Sequence, residues 1–452
     1  MKKIVSAALV GAMVASAFAA DAKITLNYRT KLDAFSARKV EVGDTTTHVK
    51  EWLDWEGYTG AGKQTPTNAA DSFKFVLNGE NAGATLNLNV NANTATQGFT
   101  LVEYSAWMGW ALGPGKLTLR SGNWKDGYAD GAYRVKKDAD AGNAEGLDFE
   151  LNKLGTILKG TNKLDFIDDL AKGGNQNALF SEADYGFTVG DGVNLNVLLG
   201  SVYNAFDTVK DADDPKDTTT TYYDAFFVSR LQLKMDPLNA ELIYKLPAPK
   251  THDIALYFMP KILDTLTLNV GGALEMYTAD KEKGGYTDWA FDLRARFQAT
   301  DALSLTLFTN ISGTNLENAK GEKVGRNVSK GVAGRDGKYG WVAGGANLGG
   351  ANAKVTSAMW NNLSARLKIS DLLTATLNVG LVTPLGKVDN DDNKYGPEWR
   401  VVPAVQIYAS SNASIWAGIA LSGNSVTIKS AAGDVDGSSF NFDIPVIFRV
   451  KM

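Results

Sequence analysis

Arginines that alternate with large apolar side chains are the residues of this sequence best suited to a chemical role. Arg294 and Arg296 stand among Leu293, Ala295 and Phe297. In an extended strand the two cations therefore occupy one face and the apolar groups occupy the other. A face of fixed positive charge that borders water attracts anions and repels cations. The pattern indicates electrostatic selection of solutes.

The same parity places further charged residues on the polar faces of other strands. The candidates for lining a water-filled path are Arg29, Arg120, Arg230, Asp292, Arg294, Arg296, Arg366 and Arg400. Further candidates at equivalent positions are the basic Lys31 and Arg449 and the acidic Glu103, Glu241, Glu275 and Asp443. Basic residues are in excess in this set, which predicts a weak preference for anions unless a constriction dominates.

The sequence contains few residues of the types that usually act as catalytic bases. The two histidines are His48 and His252, and a histidine is the most common general base. His252 is followed by Asp253, but no Gly-x-Ser-x-Gly motif lies nearby. A hydrolase is therefore an unfavoured alternative, and the sequence predicts a protein that is not an enzyme.

Metal and phosphate motifs are incomplete. Asp389 and Asp391 resemble the start of an EF-hand loop, but Lys394 replaces its glycine and Arg400 stands where its bidentate glutamate belongs. The glycine-rich residues 344–350 lack the Lys-Ser/Thr of a phosphate-binding loop. The sequence therefore predicts no metal and no cofactor, and the absence of cysteine rules out disulfides.

The element that carries the strongest structural signal is the segment of residues 440–452. Its even positions are all apolar: Phe440, Phe442, Ile444, Val446, Phe448, Val450 and Met452. Its odd positions are polar, charged or proline except for Ile447. A period of two indicates a strand with one apolar face. The segment is longer than the usual strand of about 5–6 residues and suits a bilayer crossing, which needs about 9–11.

Similar alternation recurs along the chain, and the connections between the ladders differ in length. Short Gly, Pro, Asp and Asn turns are expected at 78–83, 113–115, 190–192, 236–238, 260–264, 299–302, 370–372 and 409–412, and longer polar segments at 204–220, 312–357 and 384–397. This order is typical of an all-β, transmembrane, antiparallel up-and-down barrel with short periplasmic turns and long extracellular loops. We expect about 18 strands, within a range of about 14–18.

The start of the chain and its composition agree with export. Residues 1–19 combine Lys2 and Lys3 with an apolar centre and a small-residue exit, the pattern of a signal peptide. Residues 20–452 then form a single barrel domain. A mean hydropathy of −0.16 excludes a helical membrane protein, and a net charge of −4 gives no indication of nucleic-acid binding.

Together, the signal peptide, the alternating ladders, the order of short and long loops and the terminal strand resemble bacterial outer-membrane porins. The resemblance implies a channel in the cell outer membrane for passive diffusion of small hydrophilic solutes and ions. It also implies contact with outer-membrane lipids, recognition of the C-terminal strand by the barrel assembly machinery, and a homotrimer. Met452 replaces the terminal Phe or Trp usual in such barrels, which points more weakly to spirochaete, treponemal-like porins.

The third long connection, residues 123–180, carries Leu147, Leu151, Leu154 and Leu158 at helical spacing. In general porins the third loop folds into the lumen and narrows it, and the resemblance implies the same here. The alternative is an external loop with a small apolar cluster of its own.

A second function is open from the sequence alone. The long loops suit an adhesin or surface antigen that binds a partner, and such a role is compatible with a pore. Single-channel conductance distinguishes an open pore from a plugged barrel.

Overall fold

The computed structural model forms an all-β fold, with no membrane-spanning helix among the residues that it describes. These residues are 21–56, 72–91, 98–123, 158–159, 179–190, 192–204, 222–235, 237–248, 251–277, 286–315, 326–328, 354–386, 393–429 and 433–451. The predicted signal peptide and most of the 123–180 connection lie outside them.

The strands follow one another along the whole described chain. In order they are β1 Asp21–Val42, β2 Thr45–Glu56, β3 Ser72–Asn78, β4 Ala82–Asn91, β5 Gly98–Leu112, β6 Gly115–Asn123, β7 Leu158–Lys159, β8 Leu179–Gly190, β9 Val193–Asn204, β10 Tyr222–Met235, β11 Leu238–Ala248, β12 Thr251–Leu263, β13 Leu266–Tyr277, β14 Tyr286–Gln298, β15 Leu303–Thr314, β16 Arg326–Val328, β17 Lys354–Val355, β18 Ser357–Lys368, β19 Leu373–Pro384, β20 Lys394–Tyr395, β21 Glu398–Ser410, β22 Ala413–Gly418, β23 Ala420–Ile428 and β24 Val435–Lys451.

One antiparallel sheet contains 21 of these strands, and it closes on itself. The first strand, β1, pairs with the last strand, β24, from Asn27 opposite Lys451 to Val42 opposite Gly437. Strands that follow one another in the chain are neighbours in the sheet through most of the ring. Closure leaves no free sheet edge at this seam. The expected up-and-down β-barrel is confirmed.

The 21 strands exceed the expected number because some positions in the wall hold more than one strand. β2 and β3 lie end to end along β1, which pairs with β3 through Asp21–Asn27 and with β2 from Lys31 onward. β22 and β23 lie end to end along β24 in the same way. β20 is a two-residue strand, and within the described part of the chain it pairs with β23 alone.

The two faces of the wall differ sharply in chemistry. Along β24, Phe440 and Phe448 are exposed on the outer face, whereas Asn441 and Asp443 are buried on the inner face. Along β14, Phe291 and Phe297 are exposed and Arg294 is buried. An apolar outer belt around a polar interior is the arrangement of a membrane-spanning barrel.

Eight short turns lie at one rim of the barrel, whereas the equally short connections from β1 to β2 and from β11 to β12 lie at the opposite rim and depart from the expected order. The eight turns connect β3 to β4, β5 to β6, β8 to β9, β10 to β11, β12 to β13, β14 to β15, β18 to β19 and β21 to β22. Gly113 adopts a positive φ of 57° in one of them, a conformation that suits glycine. The expected turn at residues 260–264 is narrower, since β12 continues to Leu263. Asp21 and Lys451 lie toward the same rim.

Two of these turns carry the same ion pair. Lys261 Nζ lies 2.8 Å from Asp264 Oδ1, and Lys368 Nζ lies 2.7 Å from Asp371 Oδ1. Each carboxylate is almost fully exposed, and the hydrogen bond from its lysine, followed by the lysine charge, lowers the pKa of Asp264 and Asp371.

Two of the connections at the opposite rim meet in a small separate sheet. β7, within the 123–180 connection, pairs with β16, and β16 pairs with β17. β17 ends at Val355, and β18 begins at Ser357. The order of strand pairings places β18 on the far side of the ring from β6, where the 123–180 connection starts.

Candidate pore wall

Arg294 and Arg296 lie on the inner face of β14. Arg294 is only 9% exposed and stands opposite the inward-facing Phe308 of β15, which is 3% exposed. Arg296 stands opposite Thr306. The outward-facing Leu293 and Phe297 alternate with them along the strand. The two cations therefore belong to the interior of the barrel.

Arg366 occupies the inner face of β18 near the short-turn rim. Its Nη2 atom lies 3.5 Å from the hydroxyl oxygen of Tyr408 on β21. Between these strands, Thr376 of β19 stands opposite Arg366. The contact spans β19 and holds the guanidinium against the wall.

Arg120 lies in a third basic region of the inner face, on β6. Its Nη2 atom donates a hydrogen bond of 3.1 Å to Ser105 Oγ on β5. Lys116 lies on the same face of β6, four residues nearer the turn than Arg120. Its Nζ atom lies 5.3 Å from the centre of the Trp107 ring. This distance allows a cation–π attraction.

The remaining predicted lining residues are placed by their backbones alone. Arg29 pairs with Arg449, and Arg230 lies two residues before the buried Gln232. Asp292 lies two residues before Arg294, and Arg400 lies two residues before the buried Val402. Because alternate residues of a strand belong to the same face, all four occupy inner-face positions of their strands. Their contact with a conducting path stays a prediction.

Acidic groups on the inner face are paired with polar neighbours. Glu241 is 1% exposed, and its Oε2 atom accepts a hydrogen bond of 3.4 Å from Gln232 Nε2. Asp184 Oδ1 accepts a hydrogen bond of 3.4 Å from Asn196 Nδ2. These contacts place the negative charges on β8 and β11, away from Arg366 on β18.

A hydrogen-bonded amide cluster lines the wall between β18 and β19. Asn362 Nδ2 donates to Asn378 Oδ1 at 3.0 Å, and Ser364 Oγ donates to Asn362 Oδ1 at 2.8 Å. Asn378 Nδ2 also donates to Ser364 Oγ at 3.1 Å. The alternation of residue types gives Asn362, Ser364 and Asn378 the same face parity within their strands, but the cluster depends on strand register, which the sequence alone does not reveal.

An apolar patch interrupts the polar inner face near the seam. It consists of Val402, Ala404, Trp416, Ala420 and Ile447, all buried. Ile447 stands directly opposite Trp416, which explains why Ile447 breaks the polar sequence of odd positions in β24. The patch was not predicted, and Ile447 was its only visible signal.

Of the alternative chemical motifs, the structure describes the pair His252 and Asp253, whereas the glycine-rich residues 344–350 lie outside the described residues. The ring of His252 lies against Tyr244, with 2.8 Å between Nδ1 and the hydroxyl oxygen. Asp253 follows in the same strand and so has the opposite face parity. Asp389 and Asp391 lie outside the described residues. Within the described part of the chain, no cluster of three or more potential metal ligands occurs.

The chain matches no family model and no curated protein, but it is similar to several solved structures. OccK11 (OpdR) of Pseudomonas aeruginosa is 13% identical, with 96% of each chain covered and a TM-score of 0.43. A BenF-like porin from Pseudomonas fluorescens is 9% identical, with 96% and 98% covered and a TM-score of 0.46. OmpT, an outer membrane protein of Vibrio cholerae, is 9% identical, with 95% and 98% covered and a TM-score of 0.38.

Because these TM-scores are below 0.5, the barrel assignment rests on the strand pairing and the two faces described above. The structures named come from Pseudomonas and Vibrio. They give no support to the treponemal resemblance.

Proposed function

We propose that this protein forms a water-filled channel in the bacterial outer membrane for passive diffusion of small hydrophilic solutes and ions. The observation that carries the proposal is the closed sheet with an apolar outer face and a polar inner face. A barrel with this many strands is wide enough to hold water. Its outer belt fits lipid, since only closed barrels and helices satisfy backbone hydrogen bonds there.

We propose a weak preference for anions. Arg120, Arg294, Arg296 and Arg366 bring positive charge to the inner face. The acids on this face include Asp184, Glu241 and Asp443 on β8, β11 and β24, together with Asp292, which shares β14 with two of the arginines. Fixed wall charge raises the local concentration of counter-ions in a pore. In a wide hydrated lumen the effect is screened within about 10 Å at 0.1 M salt, so the selectivity is weak.

We propose that the 123–180 connection narrows the lumen. The pairing of β7 with β16 supports this, because it links that connection to the one that leads into β18. β18 lies across the ring from β6, and a chain that joins opposite walls passes over the opening. Deleting residues 140–150 is expected to alter single-channel conductance without preventing closure.

The test of the channel is a planar-bilayer recording of the refolded protein. We expect stable conductance steps and, in a salt gradient, a reversal potential that indicates modest anion preference. A barrel that migrates as folded yet shows no steps would overturn the channel and favour the adhesin or surface-antigen alternative, whose long connections at one rim would then be assayed for partner binding.

The proposed partners follow from the same arrangement. The outer belt contacts outer-membrane lipids, and the lumen contacts small solutes. The barrel assembly machinery recognises β24. A homotrimer is also proposed, and chemical crosslinking of the protein in membranes measures the number of subunits.

A further inference from the structure

We infer that the pore conducts ions better in one direction than in the other, because one half of its inner wall is basic and the other half is acidic. We call the six residues of each strand nearest the rim of the eight short turns the turn half of the wall, and the remaining residues the far half. The inference rests on the proposed channel and adds a direction to it. The proposed anion preference depends on the sum of the wall charges, whereas the direction depends on their order along the axis.

The turn half carries mainly basic residues at inner-face positions. They occur on β1, β3, β6, β10, β14, β18 and β24, and so on strands all around the ring: Lys23, Lys74, Lys116, Arg120, Arg230, Lys234, Arg294, Arg296, Arg366 and Arg449. In the described strands outside the seam, the inner-face acids at this level are Asp21 and Glu241. The turn half therefore has a clear excess of positive charge.

The far half has the opposite excess. Asp443 and Asp184 lie on its inner face, and strand register gives inner-face positions to further acids: Glu103, Glu182, Asp224, Asp253, Glu275, Asp288, Asp292 and Glu398. Away from the seam, the basic residues at such positions in the described far half are Lys245 and Arg400. The sign of the wall charge therefore changes along the axis.

Three acids of the far half occupy one row across neighbouring strands. Asp253 of β12 stands directly opposite Glu275 of β13, and Glu275 stands directly opposite Asp288 of β14. Directly opposed residues have Cβ atoms about 4.5–5.5 Å apart, and like charges at such positions destabilise a sheet. Lys245 of β11, opposite Asp253, adds one positive charge to the row. The row still concentrates negative charge at one height of the wall.

The seam strands β1 and β2 carry both signs in the same order. Near the turns, Arg29 stands opposite Arg449, and Lys31 stands opposite both Ile447 and Glu56. Farther from the turns, the inner-face positions hold Arg38 together with the acids Asp33, Glu51 and Asp54. The seam therefore follows the rest of the ring, with basic residues toward the turns and an excess of acids beyond them.

The acids of the short turns do not reverse the charge of the turn half. Asp264 and Asp371 are paired with Lys261 and Lys368 at 2.8 and 2.7 Å. Glu80 and Asp301 are exposed at the rim. Salt screens exposed charges more strongly than charges that are partly buried, and Arg294 is buried whereas Arg120, Arg296, Arg366 and Arg449 are half-buried.

A wall with this order of charge conducts asymmetrically. Fixed charge concentrates cations in the acidic far half and anions in the basic turn half. A voltage that is positive on the far side drives both ions toward the boundary between the halves, where their concentrations rise. The opposite voltage draws both ions away from the boundary and depletes it. The conductance is therefore larger when the chamber on the far side is positive.

The test is the current–voltage relation of single channels in a planar bilayer with equal salt in both chambers. At about 0.01 M salt, where the Debye length is about 30 Å, the current should be about two-fold larger with the far side positive. The two currents should become equal at about 1 M, where the Debye length is about 3 Å. Asn412→Cys at a short turn identifies the orientation, because a bulky membrane-impermeant thiol reagent should reduce conductance only from the chamber that faces the turns.

Two sets of variants remove the asymmetry from opposite halves. Asp253→Asn, Glu275→Gln and Asp288→Asn together should bring the current ratio close to one and shift the reversal potential in a salt gradient toward anions. Arg296→Gln with Arg366→Gln should also lower the ratio but shift the reversal potential toward cations. The matched control, Glu41→Gln with Asp44→Asn and Asp436→Asn, removes three carboxylates from the outer face and the turn at the far rim and should change neither quantity.

The outcomes separate this inference from the channel itself. A folded barrel without conductance steps would overturn the channel and the inference together. A conducting pore whose currents are equal at low salt, or larger with the turn side positive, would overturn the inference and leave the channel in place, as would an unchanged ratio in both sets of variants. If the triple variant fails to fold, as judged by heat-modifiable migration, Glu275→Gln alone should lower the ratio in part.

Discussion

Ser36 Oγ donates a hydrogen bond of 2.7 Å to Asp443 Oδ1 across the seam between the first and last strands. Both residues are buried on the inner face. This contact joins positions 407 residues apart in the sequence. Because this polar contact lies on the inner side of the seam, substitutions there can weaken the pairing of β1 with β24 and leave the outer belt unchanged.

Removing the donor at the seam should weaken the barrel. Ser36→Ala leaves the buried carboxylate of Asp443 with one hydrogen bond fewer, at a cost of about 1–3 kcal/mol. The measurement is the urea concentration at which the heat-modifiable folded band is lost. Ser425→Ala, at an exposed position of β23, is the matched control and should be neutral. Equal midpoints for both variants would contradict the role of the contact.

The orientation of β14 is testable with thiol reagents, because the chain contains no cysteine. Leu293→Cys in a lipid bilayer should resist a membrane-impermeant thiol reagent, whereas Arg296→Cys should react from the aqueous lumen. Leu293→Arg should also cost about 2–4 kcal/mol near mid-membrane depth. Rapid labelling at position 293 with protection at 296 would reverse the register.

Deleting residues 440–452 should abolish the folded band on unheated gels. β1 would then lose most of its β24 partner and the sheet would keep two open edges, which hydrocarbon does not tolerate. An internal deletion of equal length within residues 330–350 is the control and should preserve closure. A truncated chain that still migrates as folded would show that the barrel closes elsewhere.

Replacing Arg294 and Arg296 together with glutamine should reduce anion preference at low salt and preserve conductance. The reason is loss of fixed positive charge from a hydrated wall. Reversal potentials in a salt gradient measure the change. Lys261→Gln with Lys368→Gln alters the same number of charges at the turns and should have a smaller effect. A wild-type pore that prefers cations would contradict the charge assignment.

The turn ion pairs predict a small effect of pH. The paired lysines lower the folded-state pKa values of Asp264 and Asp371 from an ordinary value of 3.8. The stabilisation is therefore present above that value and is lost as the pH falls through the lower folded-state pKa. Thermal unfolding between neutral and strongly acidic pH should show a smaller acid-induced loss for Asp264→Asn with Asp371→Asn than for wild type. An identical loss would indicate that the pairs do not contribute.

The wall was predictable where its strands show a clean period of two. β24 alternates almost perfectly, and its exposed Phe440 and buried Asn441 follow the expected faces. β2 shows no such period, because its outward positions include His48 and Lys50 where a lipid-facing strand would carry apolar residues. Pairing with β1 forms this strand, and pairing information is absent from a single sequence.

Parity also identified inward residues without identifying their neighbours. The hydrogen bond of Arg120 to Ser105 and the contact of Arg366 with Tyr408 depend on strand register. Register is determined by pairing along the whole ring, so charges that are distant in sequence acquire their partners only in the closed sheet. The apolar patch around Trp416 was unpredictable for the same reason.

The pairing of Asn27 with Lys451 has a consequence for how the chain can be connected. A flexible linker from Lys451 to Asp21, with new chain ends opened within residues 205–221, would leave every neighbour in the wall unchanged. Circular permutation is tolerated at exposed connections. Strand pairing fixes which strands are neighbours in the wall. The strand at which the chain begins depends only on how the strands are connected to one another.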